Sequence, residues 1–230
     1  MIQLLYSFAR FYNDSFRRSP GTTLALTNGA LTGFADAVAQ TTQIKFLHTG
    51  THETRPIYDP WRTLRFLAFG VAIGPLIGKW NVILEKNFPL RPATAKSILT
   101  PSNSGAKAAG SIDPKPKVSL AALGKRVFAD QIVMAPIGLV LFIGTMGALE
   151  GKSIDEIGNK YKEMFGPAIV ANWSVWPAIQ LINFRYMPLA YRVPFQSSCG
   201  VLWNLYISIL NSKTDKLAIA EAEKNALSLI

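Results

Sequence analysis

Four side chains with hydrogen-bonding groups recur at helical spacing in the stretch ANWSVWPAIQLINF, residues 171–184. Asn172, Trp176, Gln180 and Asn183 are separated by four, four and three positions, which places them along one face of a helix. Residues 164–184 contain no charged side chain. Amides in such an apolar segment need hydrogen-bond partners, so this face either ties helices together or lines a wet cavity.

Further polar groups lie within, or at the start of, other charge-poor segments. Asp36 and Gln40 form an i, i+4 pair, and Asp130 precedes a run without charge. A carboxylate inside a membrane is costly and normally meets a partner or water, which makes Asp36 the first functional candidate. The full set of predicted pore or interhelical polar residues is Asp36, Gln40, Asp130, Gln131, Asn172, Trp176, Gln180, Asn183, Arg192 and Asn204.

Two interpretations of these residues are open. In the first, a narrow polar path is lined by Asp36, Gln40, Asp130, Gln180 and Asn183. Arg192 would pair one of the carboxylates. In the second, side chains such as Gln180, Asn183 and Asn204 only hold helices at fixed angles through hydrogen bonds. Tryptophans such as Trp173, Trp176 and Trp203 are expected to pack or to anchor at the membrane interface rather than to line a pore.

Catalysis and cofactor binding have little support in the sequence. The nucleophile-elbow, zinc-protease and phosphate-loop motifs are all missing from it. His48 and His52 lie in the polar stretch HTGTHE, where a solvated loop is a simpler interpretation than a metal site. Cys199 is the single cysteine, so an internal disulfide is excluded and a packing role is expected. We therefore predict a protein that is not an enzyme and has no cofactor or metal.

The elements that position these residues are predicted from the distribution of charge. Charged residues make up 17% of the chain, below the roughly 25% of ordinary globular proteins. Five segments are free or nearly free of charge, and they cover residues 18–45, 66–84, 131–149, 164–184 and 193–212. A membrane-spanning helix needs about 20 apolar residues, so the last three have the right length and the second is the weakest. We predict an all-α transmembrane bundle with four to five embedded helices.

Glycines at four-residue spacing indicate close helix packing. Two segments carry them, and the residues are Gly29, Gly33, Gly70, Gly74 and Gly78. Small residues at i and i+4 allow two helix backbones to approach each other within a membrane. Chance is the competing explanation for any single G-x-x-x-G.

Three segments are predicted along the chain. Residues 1–19 form a basic amphipathic start, which suits a mitochondrial address or an interfacial helix. Residues 20–212 form the helix bundle, with a mobile connector rich in Pro, Ser and Lys at 91–119. Residues 213–230 form a polar tail. With five spans, the leader and the connector lie on the same, more positive side of the membrane.

The net charge of +10 does not indicate nucleic-acid binding. Its maximum falls in the loop 85–126, where the cations are interspersed with Pro and Ala rather than with stacking aromatic residues. Anionic headgroups and the positive-inside bias explain this charge better.

Several motifs resemble one family. The stretches WPAIQLINF, PLAYR and WNLY, which begin at Trp176, Pro188 and Trp203, match the C-terminal signature of the Mpv-seventeen / peroxisomal 22-kDa membrane protein family, and among its members the fungal Sym-one-like ones. LTGFADAVAQ, WRTLRF and FADQIVMAP match further blocks over residues 20–212. The sequence departs from the family at Ala35, at Gly78, where relatives usually have His, and at Asn81, where they have an aromatic residue.

The resemblance implies an integral membrane protein of the inner mitochondrial membrane or, alternatively, of the peroxisome. It implies channel-like passage of small solutes that supports mitochondrial homeostasis and the stress response, with only an indirect link to mitochondrial DNA. A non-conducting scaffold is the second expectation, and a membrane-embedded enzyme is the third. The expected partners are the lipid bilayer, small solutes and further copies of the chain in a homo-oligomer, without direct nucleic-acid binding.

Overall fold

The computed structural model describes residues 2–47, 57–90, 118–203 and 205, and the regular elements within these ranges are helices. They are α1 at Ile2–Arg18, α2 at Pro20–Thr42, α3 at Pro60–Asn87, α4 at Leu120–Leu149, α5 at Ile154–Tyr186 and α6 at residues 189–203. No strand occurs in this part of the chain, which confirms the all-α class.

The starts of the helices follow from local sequence. The carboxylate of Asp59 and the hydroxyls of Ser119 and Ser153 each accept a hydrogen bond from a backbone N–H three residues further on. These caps satisfy N–H groups that have no partner within the helix. Pro20 and Pro60 occupy first helical positions, where a missing N–H costs nothing.

The hairpin of α2 and α3 has the closest helix contact in the structure. A Cβ built on Gly70 would lie 2.9 Å from Gly29 Cα, and one built on Gly74 would lie 2.7 Å from the backbone oxygen of Leu24. Gly33 packs against Leu67 of α3 in the same way. Side chains at these positions would force the two backbones apart.

A buried asparagine fastens this hairpin to a third helix. Asn28 is 3% exposed, and its Nδ2 donates to the carbonyl of Gly70 on α3 at 2.7 Å. Ser197 of α6 donates its hydroxyl to Asn28 Oδ1. One amide thus joins α2, α3 and α6, because each of its polar atoms has a partner on a different helix.

Helices α4 and α5 form a second antiparallel pair. Tyr161 donates its hydroxyl to the carbonyl of Val140 at 2.5 Å, and its ring lies against Gly144. Ser153 starts α5 with a reciprocal capping box, in which Glu156 accepts a hydrogen bond from the Ser153 backbone N–H at 2.8 Å.

One end of the bundle gathers α1, the ends of α3 and α5, and the starts of α4 and α6. Tyr12 of α1 donates its hydroxyl to Ala190 O at 2.6 Å, and the backbone N–H of Ser119 donates to Leu90 O at 3.0 Å. We call this the cationic end, defined by the exposed residues Arg17, Arg18, Lys86, Lys125 and Arg185.

Helices α3 and α4 are long and apolar enough to cross a membrane. In the most apolar 18-residue stretch of each helix, only 22% (α3) and 17% (α4) is buried inside the protein. A core helix of a soluble protein would bury that surface, so these faces require an apolar environment outside the chain.

The number of embedded helices is only partly supported. Among the described residues, two helices are long and apolar enough to span a membrane, whereas four to five embedded helices were predicted. The segment 66–84, expected to be the weakest, lies in one of them. Helices α2 and α5 fall short because Thr, Asn, Gln and Gly dilute their apolar residues. Residues 91–117, most of the 91–119 connector, lie outside the described residues, as does the tail at 213–230.

Candidate functional site

Asp130 lies at the centre of a buried hydrogen-bond network between three helices. Its Oδ1 accepts from Trp80 Nε1 of α3 at 3.0 Å, and its Oδ2 accepts from Gln180 Nε2 of α5 at 2.7 Å and from Gln131 Nε2 at 3.1 Å. Asp130 itself is 5% exposed. Three donors on one carboxylate lower the cost of burying it and fix its orientation.

A local irregularity in α4 presents this carboxylate. The five residues Asp130–Met134 form one turn of π-helix, in which the N–H of Ala135 bonds to the carbonyl of Asp130. The carbonyl of Gln131 also accepts from Trp173 Nε1 of α5 at 3.0 Å. A π-turn inside an α-helix is uncommon and frequently marks a functional site.

A second layer holds the network in place. Gln180 Oε1 accepts from Asn183 Nδ2 at 2.9 Å, and these residues are 1% and 0% exposed. Neither contacts the cavity described below. Gln180 and Asn183 therefore orient Asp130 rather than offer polar atoms to a solute.

A cavity of about 290 Å³ adjoins Asp130 between α3, α4, α5 and α6. Its walls are mostly apolar, with Ile73 and Phe142 among them. Its polar lining consists of Asp130, Gln131, Asn172, Trp176 and Gln196.

Three buried oxygens around this cavity have no hydrogen-bond partner within the described part of the chain. They are Gln131 Oε1, Asn172 Oδ1 and Gln196 Oε1. An unpaired buried amide oxygen costs about 1–3 kcal/mol, so a cavity lined by three residues that carry one favours water or a solute that donates hydrogen bonds.

A second network surrounds Asp36 between α2 and α3. Asp36 is 2% exposed, its Oδ1 lies 2.9 Å from Arg62 Nε, and its Oδ2 accepts from Gln40 at 2.7 Å and from Thr63 at 2.8 Å. Gln40 also accepts from the backbone N–H of Asp59 at 2.8 Å. The Asp36 carboxylate is thus neutralised by a partner from α3.

Asp59 links this network to the start of α3. The backbone N–H of Arg62 is the main cause of a pKa of Asp59 below its usual value, and Arg65, whose Nη2 lies 3.2 Å from Asp59 Oδ2, lowers it further. The carboxylate remains ionised at neutral pH and caps α3.

The two networks are separate. Asp36 contacts Thr63 and Asp130 contacts Trp80, and these α3 residues lie about 25 Å apart along the helix axis. Of the predicted path residues, the structure brings Asp130 together with Gln180 and Asn183, whereas Asp36 and Gln40 lie near the other end of α3.

Other predicted residues occupy different places. Arg192 is 5% exposed and pairs through Nη1 with Glu85 Oε2 at 2.9 Å, a carboxylate outside the predicted set. Asn172 and Trp176 line the cavity. Asn204 lies outside the described residues, as do His48 and His52. Within the ranges that the structure describes, no group of three or more His, Cys, Asp or Glu side chains could hold a metal.

Sequence reasoning missed the network partners Trp80, Arg62 and Thr63. It also missed the cavity residue Gln196 and the buried residues Asn28 and Arg126. Some signal was present, because Arg62 and Thr63 belong to the WRTLRF block and Asn28 lies one residue before Gly29. Trp80 and Gln196 carry no such signal, because single polar side chains in apolar runs have no periodic pattern.

Comparisons with known proteins agree with the motifs. A model of the Mpv17 / PMP22 family matches residues 147–208, which include all of α5 and α6. Protein sym1 of Schizosaccharomyces pombe is 31% identical over 218 residues, which cover 90% of this chain and 92% of that protein. Protein SYM1 of Saccharomyces cerevisiae is 33% identical, with 88% of this chain and 89% of that protein covered. Protein SYM1 of Eremothecium gossypii is 33% identical, with 90% and 97% covered. No solved structure matches the chain significantly.

Proposed function

This chain belongs to the Mpv17 / PMP22 family, and from that membership and the cavity beside Asp130 we propose that it is an organelle-membrane channel for small solutes. The observation that carries the proposal is the cavity of about 290 Å³ lined by Asp130 and by three amide residues, each of which has a buried oxygen without a hydrogen-bond partner in the described part of the chain. In a helix bundle surrounded by lipid, buried polar groups that do not pair with one another normally face water or a solute.

The lining also indicates which solutes pass. Its unpartnered atoms are acceptor oxygens, and Asp130 adds a carboxylate. A solute loses bound water when it enters the cavity. Acceptor oxygens replace that hydration for solutes that donate hydrogen bonds or carry positive charge. The carboxylate of Asp130 repels anions at this position, so cations and neutral donors are favoured.

The membrane is proposed to be the inner mitochondrial membrane, with the peroxisomal membrane as the alternative. The basic amphipathic α1 and the cationic end support the first, because positive residues favour the matrix side. A channel there supports mitochondrial homeostasis and the stress response, and reaches mitochondrial DNA only through metabolite supply. Fluorescent tagging with markers for both organelles distinguishes the two locations.

The competing function is a non-conducting scaffold. It is favoured by the amide groups of Gln180 and Asn183, because Gln180 Nε2 donates to Asp130 and Asn183 Nδ2 donates to Gln180 Oε1, both within the bundle. Flux through purified protein in liposomes separates the two functions, because a scaffold gives no flux above that of empty liposomes.

Two pairs of variants test the cavity. Gly138 lines it, and a Cβ there would meet nothing within 4 Å, so Gly138→Leu places a side chain in open space and should reduce flux. Gly166→Leu is the matched control, because Gly166 also has open space but does not line the cavity. Asp130→Asn should lower the cation preference, whereas Asp155→Asn, an exposed position, should leave it unchanged. Equal flux in both leucine variants would place the solute path elsewhere.

A further inference from the structure

Two arginines are buried at the cationic end within electrostatic reach of each other, away from the cavity lining. Arg126 of α4 is 1% exposed and Arg192 of α6 is 5% exposed. Arg126 is close enough to feel repulsion from Arg192 and attraction from Glu85. Guanidinium groups stay charged in proteins, so burying two of them together requires negative charge nearby.

The Nε of each guanidinium donates a hydrogen bond to a backbone carbonyl at the C-terminal end of a helix. Arg126 Nε donates to the carbonyl of Phe88, which follows α3, at 2.7 Å. Arg192 Nε donates to the carbonyl of Met187, which follows α5, at 3.2 Å. These bonds explain why both side chains point inward, because carbonyls at helix C-termini lack partners within the helix.

Among the residues that the structure describes, the remaining charge is not balanced. Arg192 Nη1 pairs with Glu85, whereas Arg126 Nη1 is buried without a hydrogen-bond partner among the described residues. One carboxylate therefore faces two guanidinium groups. The side chain of Glu85 is 48% exposed, so the cluster reaches the protein surface.

We propose that Arg126 and Arg192 form a binding site for a phosphate group at the cationic end. A guanidinium fork matches phosphate geometry with paired N–H donors. Exposed cations, among them Lys86 and Lys125, surround the cluster and add to its positive potential. Basic pockets between membrane helices are typical sites for phospholipid headgroups, and a free phosphate offers the same chemistry. The site lies outside the cavity lining, and the proposal does not depend on solute flux.

Binding is tested on the purified full chain in a neutral detergent. One arm adds phosphatidylglycerol in phosphatidylcholine, with phosphatidylcholine alone as its blank. The other arm adds inorganic phosphate, with chloride at equal ionic strength as its blank. Native mass spectrometry counts bound ligand, and the melting temperature is compared with that of the same variant without ligand.

Arg126→Gln should weaken binding at least about tenfold, since a charge-assisted hydrogen bond and one positive charge are removed. Lys125→Gln removes the same charge from the neighbouring exposed position and should weaken binding much less, because solvent screens an exposed charge. If Arg126→Gln does not fold, Arg126→Lys is the alternative test. This variant keeps the positive charge but loses the paired N–H donors of the guanidinium, so it should still bind phosphate more weakly than Lys125→Gln.

The two arms identify the source of the phosphate. Binding of phosphatidylglycerol that depends on Arg126 identifies a lipid headgroup, and Arg126-dependent binding of inorganic phosphate identifies a soluble ligand. Equal binding by the Arg126 and Lys125 variants would overturn the proposal. An absence of binding in the wild type would also overturn it.

Discussion

Gly74 of α3 provides a direct test of the contact between α2 and α3. A Cβ at this position would lie 2.7 Å from Leu24 O and 3.0 Å from Asn28 Cβ. Carbon–oxygen contacts between packed helices are normally about 3.3–3.6 Å, so Gly74→Ala forces the two backbones apart by roughly half an ångström. Backbone atoms cannot rotate away as a side chain can.

The cost follows from two opposing effects. Overpacking of a tight contact costs about 1–3 kcal/mol, whereas replacing a helical glycine by alanine returns about 0.5–1 kcal/mol. We therefore expect Gly74→Ala to lower the free energy of unfolding by about 1–2 kcal/mol. The displaced α2 should also weaken the hydrogen bond from Asn28 to Gly70 O.

Two further glycines make a graded series. A Cβ on Gly78 would meet the end of the Leu24 side chain, which can rotate, so Gly78→Ala should cost less than Gly74→Ala. A Cβ on Gly166 meets nothing within 4 Å, so Gly166→Ala should be stabilising by about 0.5–1 kcal/mol. Reversible unfolding in mixed micelles with increasing sodium dodecyl sulfate measures all three. If Gly74→Ala were as stable as Gly166→Ala, the close contact between α2 and α3 would be refuted.

Three other predictions concern single side chains that bind a neighbouring helix or cap a helix. Burial, with a smaller effect of Tyr191, raises the pKa of Tyr12 from 10.0 to about 12. The neutral Tyr12 hydroxyl, which donates to Ala190 O, therefore stabilises the docking of α1 fully below pH 10.0, and this stabilisation is lost as the pH rises through about 12. Limited proteolysis should show α1 detaching in that window in the wild type, and Tyr12→Phe should remove this pH dependence. Asp36→Asn should destabilise the protein by about 1–3 kcal/mol, because the partner Arg62 is partly exposed and the cost is smaller than for a fully buried pair; a double-mutant cycle with Arg62→Gln that gave no coupling would contradict the ion pair. Ser153→Ala should cost about 1 kcal/mol through loss of the α5 cap, measured against Ser174→Ala, a change at an exposed serine within the helix.

The helices of the described region follow largely from charge and turn residues. The runs that are free or nearly free of charge overlap α2, α3, α4 and α5, and caps such as Ser153 are readable in the sequence. The number of embedded helices was harder to predict. A segment without charge is not necessarily apolar. Membrane insertion depends on the summed hydropathy of a segment, which Thr, Asn and Gly reduce in α2.

The site shows the same limit. The four-residue spacing of Asn172, Trp176 and Gln180 correctly places them along one helix, yet only the first two line the cavity. Gln180 lies instead beneath Asp130. Helical periodicity assigns a residue to a face of about a quarter of the circumference, and that resolution cannot separate a cavity wall from the layer behind it.

By itself the sequence determined the helical class, the charge-poor segments and membership in the family, because these depend on local composition and on short motifs. The tertiary structure alone decided which polar groups meet. The partners of Asp130 on α3 and α5 are each 50 residues away along the chain. Such pairings arise from the way in which whole helices pack, and the energy that selects them is shared over all of their contacts rather than encoded beside either residue.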